Sequence, residues 1–153
     1  MKSKRSGLII LGCLLALGLA GCGGSSTPTP LTVTLAPPSA SITVNSSVHI
    51  VLQDPAGLNK YTSSVDWSIQ EYGSGTRCTE ESVDPANAPP IPNCPSGWLA
   101  YLAGPPPGDV YYFAPSAPTT AHVVANVKNY TDVSHSVVES EGSATATVTV
   151  TSQ

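Results

Sequence analysis

The stretch SATATVTVT, residues 143–151, alternates small apolar side chains with serine or threonine over its whole length. Because successive side chains of a β-strand point to opposite faces, this period of two predicts a strand with one buried and one solvated face. The positions expected to face a hydrophobic core are the apolar ones, Ala144, Ala146, Val148 and Val150. The stretch therefore predicts the last strand of an all-β domain.

Six further stretches alternate in the same way or are rich in residues that favour strands. They are LTVTL (31–35), ASITV (40–44), VHIVLQ (48–53), VDWSIQ (65–70), VYYFA (110–114) and AHVVANV (121–127). Pro37 and Pro38 predict a kink that transfers the first strand between two sheets. Trp67 is expected at the centre of the core, and the polar residues 128–142 are expected to form most of a long turn. About seven short strands and no long amphipathic helix predict an antiparallel β-sandwich.

Residues 71–107 differ in composition from these stretches. They are dense in glycine, proline, asparagine and serine, and the segment is too long for a simple connection between strands. Loops of this length inside a compact domain are usually functional or disordered. Residues 98–102 (WLAYL) predict a short strand, which the prolines at 105–107 prevent from continuing. The segment is expected to be an insertion in the sandwich.

The N-terminus has the organisation of an export signal. Lys2, Lys4 and Arg5 form a positive region, and residues 7–20 form an apolar run without a charge. The run is shorter than the roughly 20 residues that a membrane-spanning helix requires. It is therefore interpreted as a signal peptide and not as a membrane span.

The signal ends in LAGC, residues 19–22, which resembles the cleavage box of bacterial lipoprotein signals. The resemblance implies that residues 1–21 are removed and that Cys22 becomes the diacylated N-terminal residue; the alternative is an ordinary signal peptide cleaved nearby. Two or three acyl chains would anchor the protein durably. An Asp in place of Gly23 would imply retention at the inner membrane, so the resemblance implies the outer membrane in a cell that has one. Residues 22–30 are expected to be a lipidated flexible tether.

The remaining cysteines agree with export to an oxidising compartment. Cys13 leaves with the signal and Cys22 carries the lipid, so Cys78 and Cys94 remain as a pair and are expected to form a disulfide. Such a bond would stabilise the fold by roughly 3 kcal/mol in the chain-entropy model. The alternative is metal ligation, but two thiols without nearby histidines or further cysteines make a poor zinc site.

Length and charge limit the possible functions of the mature chain. After removal of residues 1–21, 132 residues remain, which fits a single domain over residues 31–153. Three basic residues against ten acidic ones give this part a formal charge of −7. Nucleic acids and anionic lipid head groups are poor partners for such a surface, so no nucleic-acid partner is expected.

The strand stretches, taken together, resemble bacterial immunoglobulin-like domains, especially the group 2 type found in envelope proteins. The resemblance covers residues 31–151 and implies an immunoglobulin-like β-sandwich of about seven strands. Residues 71–107 depart from it, because family members usually turn back quickly after the strand that holds the tryptophan.

The three histidines raise the question of a metal site or a catalytic site. His49 and His122 are expected on outward faces of strands in opposite sheets and His135 in a loop, so the three are not expected to converge. The many serines lie in no G-x-S-x-G elbow or other recognisable nucleophile motif. The chain is therefore predicted to be neither an enzyme nor the holder of a metal or other cofactor.

The best candidates for ligand binding are aromatic residues of the insertion, namely Trp98, Tyr101 and Tyr72, since exposed aromatics supply much of the energy of recognition. The alternative for Trp98 is that it packs on the disulfide or covers an open end of the sandwich. Three acidic residues of the insertion are interpreted as a solvated loop, with calcium coordination as the alternative: Glu80, Glu81 and Asp84. The last strand is a further candidate, for pairing with a strand of a partner, if it lies at an unprotected sheet edge.

These observations predict a non-catalytic lipoprotein of the bacterial cell envelope, which acts as an interaction or adhesion module through its insertion. Its expected partners are the membrane, through the lipid on Cys22, and an envelope protein or a glycan. Two alternatives remain open. The domain can be a structural accessory subunit or spacer of an envelope assembly, or it can be a carbohydrate-binding module.

Overall fold

A computed structural model describes residues 27–53, 58–59, 61–73, 78–102 and 108–153. The predicted signal peptide and the lipid-attachment residue Cys22 lie outside these residues. The strands are β1 (Thr29–Pro30), β2 (Thr34–Ala36), β3 (Ser39–Thr43), β4 (Ser47–Gln53), β5 (Ser63–Ile69), β6 (Thr79–Ser82), β7 (Trp98–Leu102), β8 (Asp109–Phe113), β9 (Thr119–Tyr130) and β10 (Val138–Thr151). Two short 3-10 turns, Gln70–Tyr72 and Pro85–Asn87, lie in the predicted insertion. No helix among the described residues is long and apolar enough to cross a membrane.

The strands form two sheets, which confirms the all-β sandwich. Sheet I has the order β1-β10-β9-β5, and β3 also pairs with β10; sheet II has the order β2-β4-β8-β7-β6. The sheets are mixed and not purely antiparallel as expected, because β1 and β3 run parallel to β10 and β6 runs parallel to β7. The last strand is an internal strand of sheet I, with β9 on one side and β1 and β3 on the other. It therefore offers no free edge for pairing with a partner.

The N-terminal segment crosses between the sheets, as the two prolines predict. β1 belongs to sheet I, β2 to sheet II and β3 again to sheet I. Pro37 and Pro38 separate β2 from β3, and the Ala36–Pro37 peptide bond is cis. Because proline has no N–H to donate to a ladder, β2 ends here and the chain passes to the other sheet.

The core lies between the sheets and follows the predicted alternation. The four alternate apolar residues of β9, from Ala121 to Val127, are at most 1% exposed. Ala146, Val148 and Val150 of β10 are buried beside them, and Trp67 is 3% exposed in the same cluster. Full burial of a valine or leucine side chain stabilises a fold by about 1.5–3 kcal/mol, so this layer is the main source of stability.

The strands β9 and β10 are longer than the sequence predicts. β9 continues to Tyr130 and β10 begins at Val138, so only residues 131–137 form the turn that was expected over 128–142. Both strands extend further because hydrogen bonds between polar side chains take the place of apolar packing at this end of sheet I. The Ser63 hydroxyl donates to Asn129 Oδ1 at 2.7 Å, and Asn129 Nδ2 donates to the Ser140 hydroxyl at 3.2 Å.

The two ends of the sandwich are distinct. At the N-terminal end, where the chain enters sheet I, Thr29 pairs with Ser140 and Val138 pairs with Tyr130. At the far end, Thr151 pairs with Thr43. From Ser140 to Thr151, β10 rises about 36 Å at roughly 3.3 Å per residue. A feature at the far end is thus separated from the tether by the full length of the domain.

Candidate binding groove

The predicted disulfide is present and closes a loop that covers part of the outer face of sheet II. Cys78 and Cys94 are joined with an S–S distance of 2.04 Å. We call residues 78–97 the disulfide loop. Its apolar residues form a second hydrophobic cluster, separate from the main core, with the outward-facing side chains of β7 and β8. The members are Cys78, Ala88, Trp98 and Ala100, with Tyr72, Ile91, Cys94 and Phe113 packed against them.

The disulfide loop is ordered by backbone pairing as well as by the disulfide. β6 runs parallel to β7, and the Leu99 N–H donates to the Cys78 carbonyl at 2.8 Å. The sequence of β6, TEES, is polar and has no apolar alternation, so this strand could not be predicted from the sequence. Glu80 and Glu81 lie in β6, whereas Asp84 accepts a hydrogen bond from Asn87 Nδ2 at 3.0 Å. Throughout the described part of the chain, no three His, Cys, Asp or Glu residues gather as metal ligands would.

Two tyrosines hold the end of the disulfide loop against the sandwich. The Tyr72 hydroxyl donates to the Gly97 carbonyl at 2.6 Å and accepts from the Ser96 N–H at 2.7 Å. The Tyr112 hydroxyl donates to the Ser96 carbonyl at 2.9 Å. Burial raises the pKa of both tyrosines, so both hydroxyls remain protonated donors at neutral pH.

Gly97 is required where the loop meets β8. Its φ is +86°, a conformation that side-chain-bearing residues rarely adopt. A Cβ at this position would lie 2.5 Å from the Phe113 carbonyl oxygen and 2.6 Å from the Tyr112 hydroxyl. The close approach of the loop to sheet II therefore depends on a glycine at this position.

A contact between Glu71 and His122 fixes the start of the insertion on sheet I. One Glu71 carboxylate oxygen accepts the His122 backbone N–H at 3.0 Å, and the other lies 2.5 Å from His122 Nδ1. Burial raises the pKa of Glu71, but the hydrogen bonds from His122 outweigh burial and hold this pKa below its usual value. The carboxylate is thus ionised at neutral pH and holds the Gln70–Tyr72 turn against β9.

Of the three predicted binding residues, Trp98 and Tyr72 pack in the disulfide cluster, whereas Tyr101 lies on the opposite face of β7. Trp98 points outward from sheet II and stacks on Phe113, with ring centroids 4.1 Å apart and planes 6° from parallel. Only 6% of Trp98 is exposed, so the indole packs in the disulfide cluster as the alternative interpretation expected. Tyr101 packs against the main core, and the Tyr72 hydroxyl is engaged by Ser96 and Gly97. Direct ligand contact by these three residues stays a prediction.

A groove of about 900 Å³ lies at the far end of sheet II, beside the disulfide loop. It is bounded by the loop, by the turn after β3 and by the segment after β8. The edges of Trp98 and Phe113 contribute to its lining, together with Asn45, Ser46, Ala88, Pro90, Ile91, Asn93, Cys94, Pro95, Ala114, Pro115, Ser116 and Ala117. None of these described lining residues is charged. The groove is therefore uncharged and largely apolar, with the amides of Asn45 and Asn93 and the hydroxyls of Ser46 and Ser116 among its polar groups.

The groove combines three segments that are far apart in sequence. The Ala114 N–H donates to the Ser46 carbonyl at 2.8 Å, and the Asn45 N–H donates to the Pro115 carbonyl at 3.2 Å. Ser47 and Trp98 both pair with Phe113, on either side of β8. The contributions of Phe113, Pro115 and the Asn45 turn were missed in the sequence. The apolar stretch VYYFA located β8, but no local pattern shows which strands lie next to it.

A smaller concavity of about 600 Å³ lies on the outer face of sheet I. Its lining includes the charged residues Asp66, Lys128 and Glu141, together with Tyr130. Lys128 pairs directly with Glu141 across the β9–β10 ladder. Such a mixed-charge strand face is typical of a solvated sheet surface, so the far-end groove is the better candidate for a binding site.

The three histidines do not converge, as predicted. His49 lies on sheet II, where Nε2 is 2.7 Å from an Asp109 carboxylate oxygen and the ring stacks on Tyr111. His122 lies on sheet I and contacts Glu71. His135 lies in the turn between β9 and β10 and stacks on Tyr130.

Comparison of the chain with models of known protein families gives no match. Comparison with curated proteins gives no significant match either.

Proposed function

We propose that the mature chain is a lipid-anchored lipoprotein of the bacterial cell envelope, whose β-sandwich is a non-catalytic interaction or adhesion module. The site of interaction is the groove at the far end. The main support for this proposal is the number of interactions that hold the groove in place. A disulfide, two hydrogen-bonded tyrosine hydroxyls and a required glycine all serve to hold one uncharged, largely apolar concavity in place.

The chemistry of the groove favours binding over catalysis. Its described lining offers alanine, proline, isoleucine and aromatic edges, with asparagine and serine as the polar groups. Ligand sites are typically apolar concavities of this size with a few polar groups that orient the ligand. A general acid or base would need a titratable side chain within hydrogen-bond reach of a substrate, and Cys94 of the lining is bound in the disulfide.

The position of the groove supports the proposed anchor. Lipid on Cys22 would hold the N-terminal end of the sandwich, and the groove lies about 36 Å away along β10. The tether was predicted over residues 22–30, but Thr29 and Pro30 belong to β1, so only residues 22–28 remain, and they add at most roughly 23 Å. The groove is thus directed away from the bilayer, toward molecules of the surrounding envelope space.

The strand order fits the immunoglobulin-like sandwich that the resemblance implies. The first and last strands lie side by side in sheet I, and the N-terminal segment contributes to both sheets. The carbohydrate-binding alternative gains less support. A sugar ring would need an open aromatic face, and the indole face of Trp98 is covered by Phe113.

The anchor is tested by mass spectrometry of the mature N-terminus and by cell fractionation. We expect an acylated Cys22, and we expect Cys22→Ala to move from the membrane fraction to the soluble fraction. An unacylated N-terminal residue other than Cys22 would overturn this part of the proposal.

The groove is tested by photo-crosslinking in intact cells. A photoreactive amino acid at Ser116, in the groove, is compared with the same amino acid at Thr145, on the outer face of sheet I. We expect a specific adduct from position 116 and none from position 145. Equal adducts at both positions, or an adduct at position 145 alone, would show that the groove is not the interaction site.

A further inference from the structure

We propose that the N-terminal end of the sandwich rests on the bilayer that holds the lipid anchor, and that three exposed apolar side chains contact the lipid surface there. These are Tyr61, Val133 and Val137, which we call the apolar tip. The proposal rests on the anchoring part of the proposed function and is independent of the groove. The partner is a zwitterionic phospholipid surface.

The three side chains of the apolar tip are exposed. Val133 is 74% exposed, Tyr61 60% and Val137 46%. The other large apolar residues exposed in the described chain are Val51, Val83 and Leu102, which lie in sheet II and its loop, toward the same end of the sandwich. Single exposed apolar residues are common, but several at one end of a domain mark a contact surface.

The tip is one surface because hydrogen bonds join its two segments. His135 Nε2 lies 3.1 Å from the Tyr61 carbonyl oxygen, which links the β9–β10 turn to the residues before β5. Within the turn, the Thr131 N–H donates to the Val137 carbonyl at 3.1 Å. Tyr61, Val133 and Val137 are therefore held at the same end of sheet I.

Hydrogen bonds hold the turn that presents Val133, and the carboxylate of Asp132 accepts three of them from within the turn. One Asp132 oxygen accepts from the Ser134 N–H at 2.9 Å and from the Ser134 hydroxyl at 2.6 Å. The other accepts from the Ser136 hydroxyl at 2.8 Å. An apolar side chain on an ordered turn can enter a lipid interface without a further ordering cost.

The tether joins the sandwich at this same end. Thr29 of β1 pairs with Ser140 of β10, and Val138 pairs with Tyr130 immediately before the turn. Adjacent strands lie about 4.8 Å apart, so Thr29 is on the order of 10–15 Å from the tip. Seven residues, 22–28, reach at most roughly 23 Å, so lipid on Cys22 keeps the tip within reach of the bilayer.

The charges around the tip select the kind of lipid. Glu139 and Glu141 lie exposed in the first residues of β10, and the mature chain carries a formal charge of −7. Anionic head groups would be repelled, so the surface contacted is zwitterionic. Three side chains give weak binding alone, but the tether raises the effective concentration of the tip at the bilayer, so contact depends on the anchor.

The proposal is tested with the lipidated mature protein in phosphatidylcholine vesicles. Val133→Cys carries an environment-sensitive dye, and Ser116→Cys at the far end carries the same dye as the matched control. We expect a blue-shifted emission and quenching by a spin-labelled lipid at position 133, with neither at position 116. Identical emission and quenching at both positions would overturn the proposal. Flotation of the same samples reports the anchor separately, so failure of the anchor is distinguished from failure of the tip contact.

A second measurement uses a dye at Ser116 and acceptor-labelled lipid. In the protein with an intact tip, we expect low energy transfer, because the tip holds the far end away from the bilayer. Val133→Ser combined with Val137→Ser should free the domain to tilt and raise the transfer. Unchanged transfer in the double variant, with normal flotation, would contradict the proposed contact.

Discussion

The main core and the disulfide cluster achieve burial in different ways. In the main core, every second residue of the long strands faces the space between the two sheets. The buried residues of each strand can therefore be recognised from the alternation within that strand. In the disulfide cluster, a few apolar residues of a proline-rich loop are held by one covalent bond and by hydrogen bonds to Tyr72 and Tyr112. The first arrangement is encoded locally in the sequence, whereas the second depends on contacts between distant residues.

Breaking the main core should produce the largest loss of stability. Leu99 is fully buried, and Leu99→Ala should lower the free energy of unfolding by about 2–5 kcal/mol, because it removes apolar contacts and leaves a cavity. Leu102→Ala, in the same strand but at a site 53% exposed, should cost about 0.5 kcal/mol or less. Urea denaturation of both variants checks the difference. Similar losses for the two would contradict the assignment of Leu99 to the core.

Breaking the disulfide should affect the second cluster alone. Replacement of Cys78 and Cys94 by alanine together should cost about 3 kcal/mol and release the disulfide loop, while β9 and β10 remain folded. Amide hydrogen exchange is the measurement. We expect protection to fall in residues 78–97 and to persist in β9 and β10. If protection fell equally in both regions, the two clusters would be one cooperative unit.

Gly97 and Gly73 allow a finer comparison, because both have positive φ but only one lies against sheet II. Gly97→Ala should cost about 2–3 kcal/mol, since backbone strain adds to overlap with the Phe113 carbonyl. Gly73→Ala should cost about 1 kcal/mol, from strain alone, because its Cβ would meet nothing within 4 Å. Thermal unfolding of the two variants gives the difference. Equal melting temperatures would mean that the close approach of Gly97 to sheet II does not add to the cost of the substitution.

The smallest effect is expected at the contact that joins the insertion to sheet I. The pKa of Glu71 is lower in the folded state than in the unfolded state, so the ionised carboxylate stabilises the fold. This stabilisation is complete above the unfolded pKa of about 4.3, and it is lost as the pH falls through the pKa of the folded state. Glu71→Gln should therefore be less stable than the natural protein at pH 6, by about 0.5 kcal/mol or less, and this deficit should shrink as the pH is lowered toward 3. Glu139→Gln is the control for removal of one exposed negative charge. A deficit that stays undiminished at pH 3 would point to a cause other than ionisation.

The same contrast explains which features the sequence predicts. The period of two located six of the strands and their buried faces, including that of Trp67, because alternation between neighbouring residues shows which face of a strand is buried. The aromatic stretch VYYFA located a seventh. The pairing of Cys78 with Cys94 was predictable because no other pair remained after the export signal was assigned. The lipid site at Cys22 stays a prediction.

The missed features depend on which strands become neighbours. β6 has no apolar alternation and is a strand because it lies beside β7. Residues 128–130 and 138–142 extend β9 and β10 because Ser63, Asn129 and Ser140 form hydrogen bonds with each other in place of apolar contacts. The groove requires Asn45, Phe113 and the disulfide loop to meet, and nothing in any one of these segments indicates the other two.

The parallel pairing of β3 with β10 has a mechanical consequence. Both strands run from the N-terminal end toward the far end, and five residue pairs join them, from Ser39 with Thr147 to Thr43 with Thr151. If a partner were held in the groove, a pull on the tether would act along these two strands. The force would load their hydrogen bonds in shear. The bonds would then have to rupture together and not one after another. Under such tension, the lifetime of the domain is set by its unfolding rate and not by its equilibrium stability.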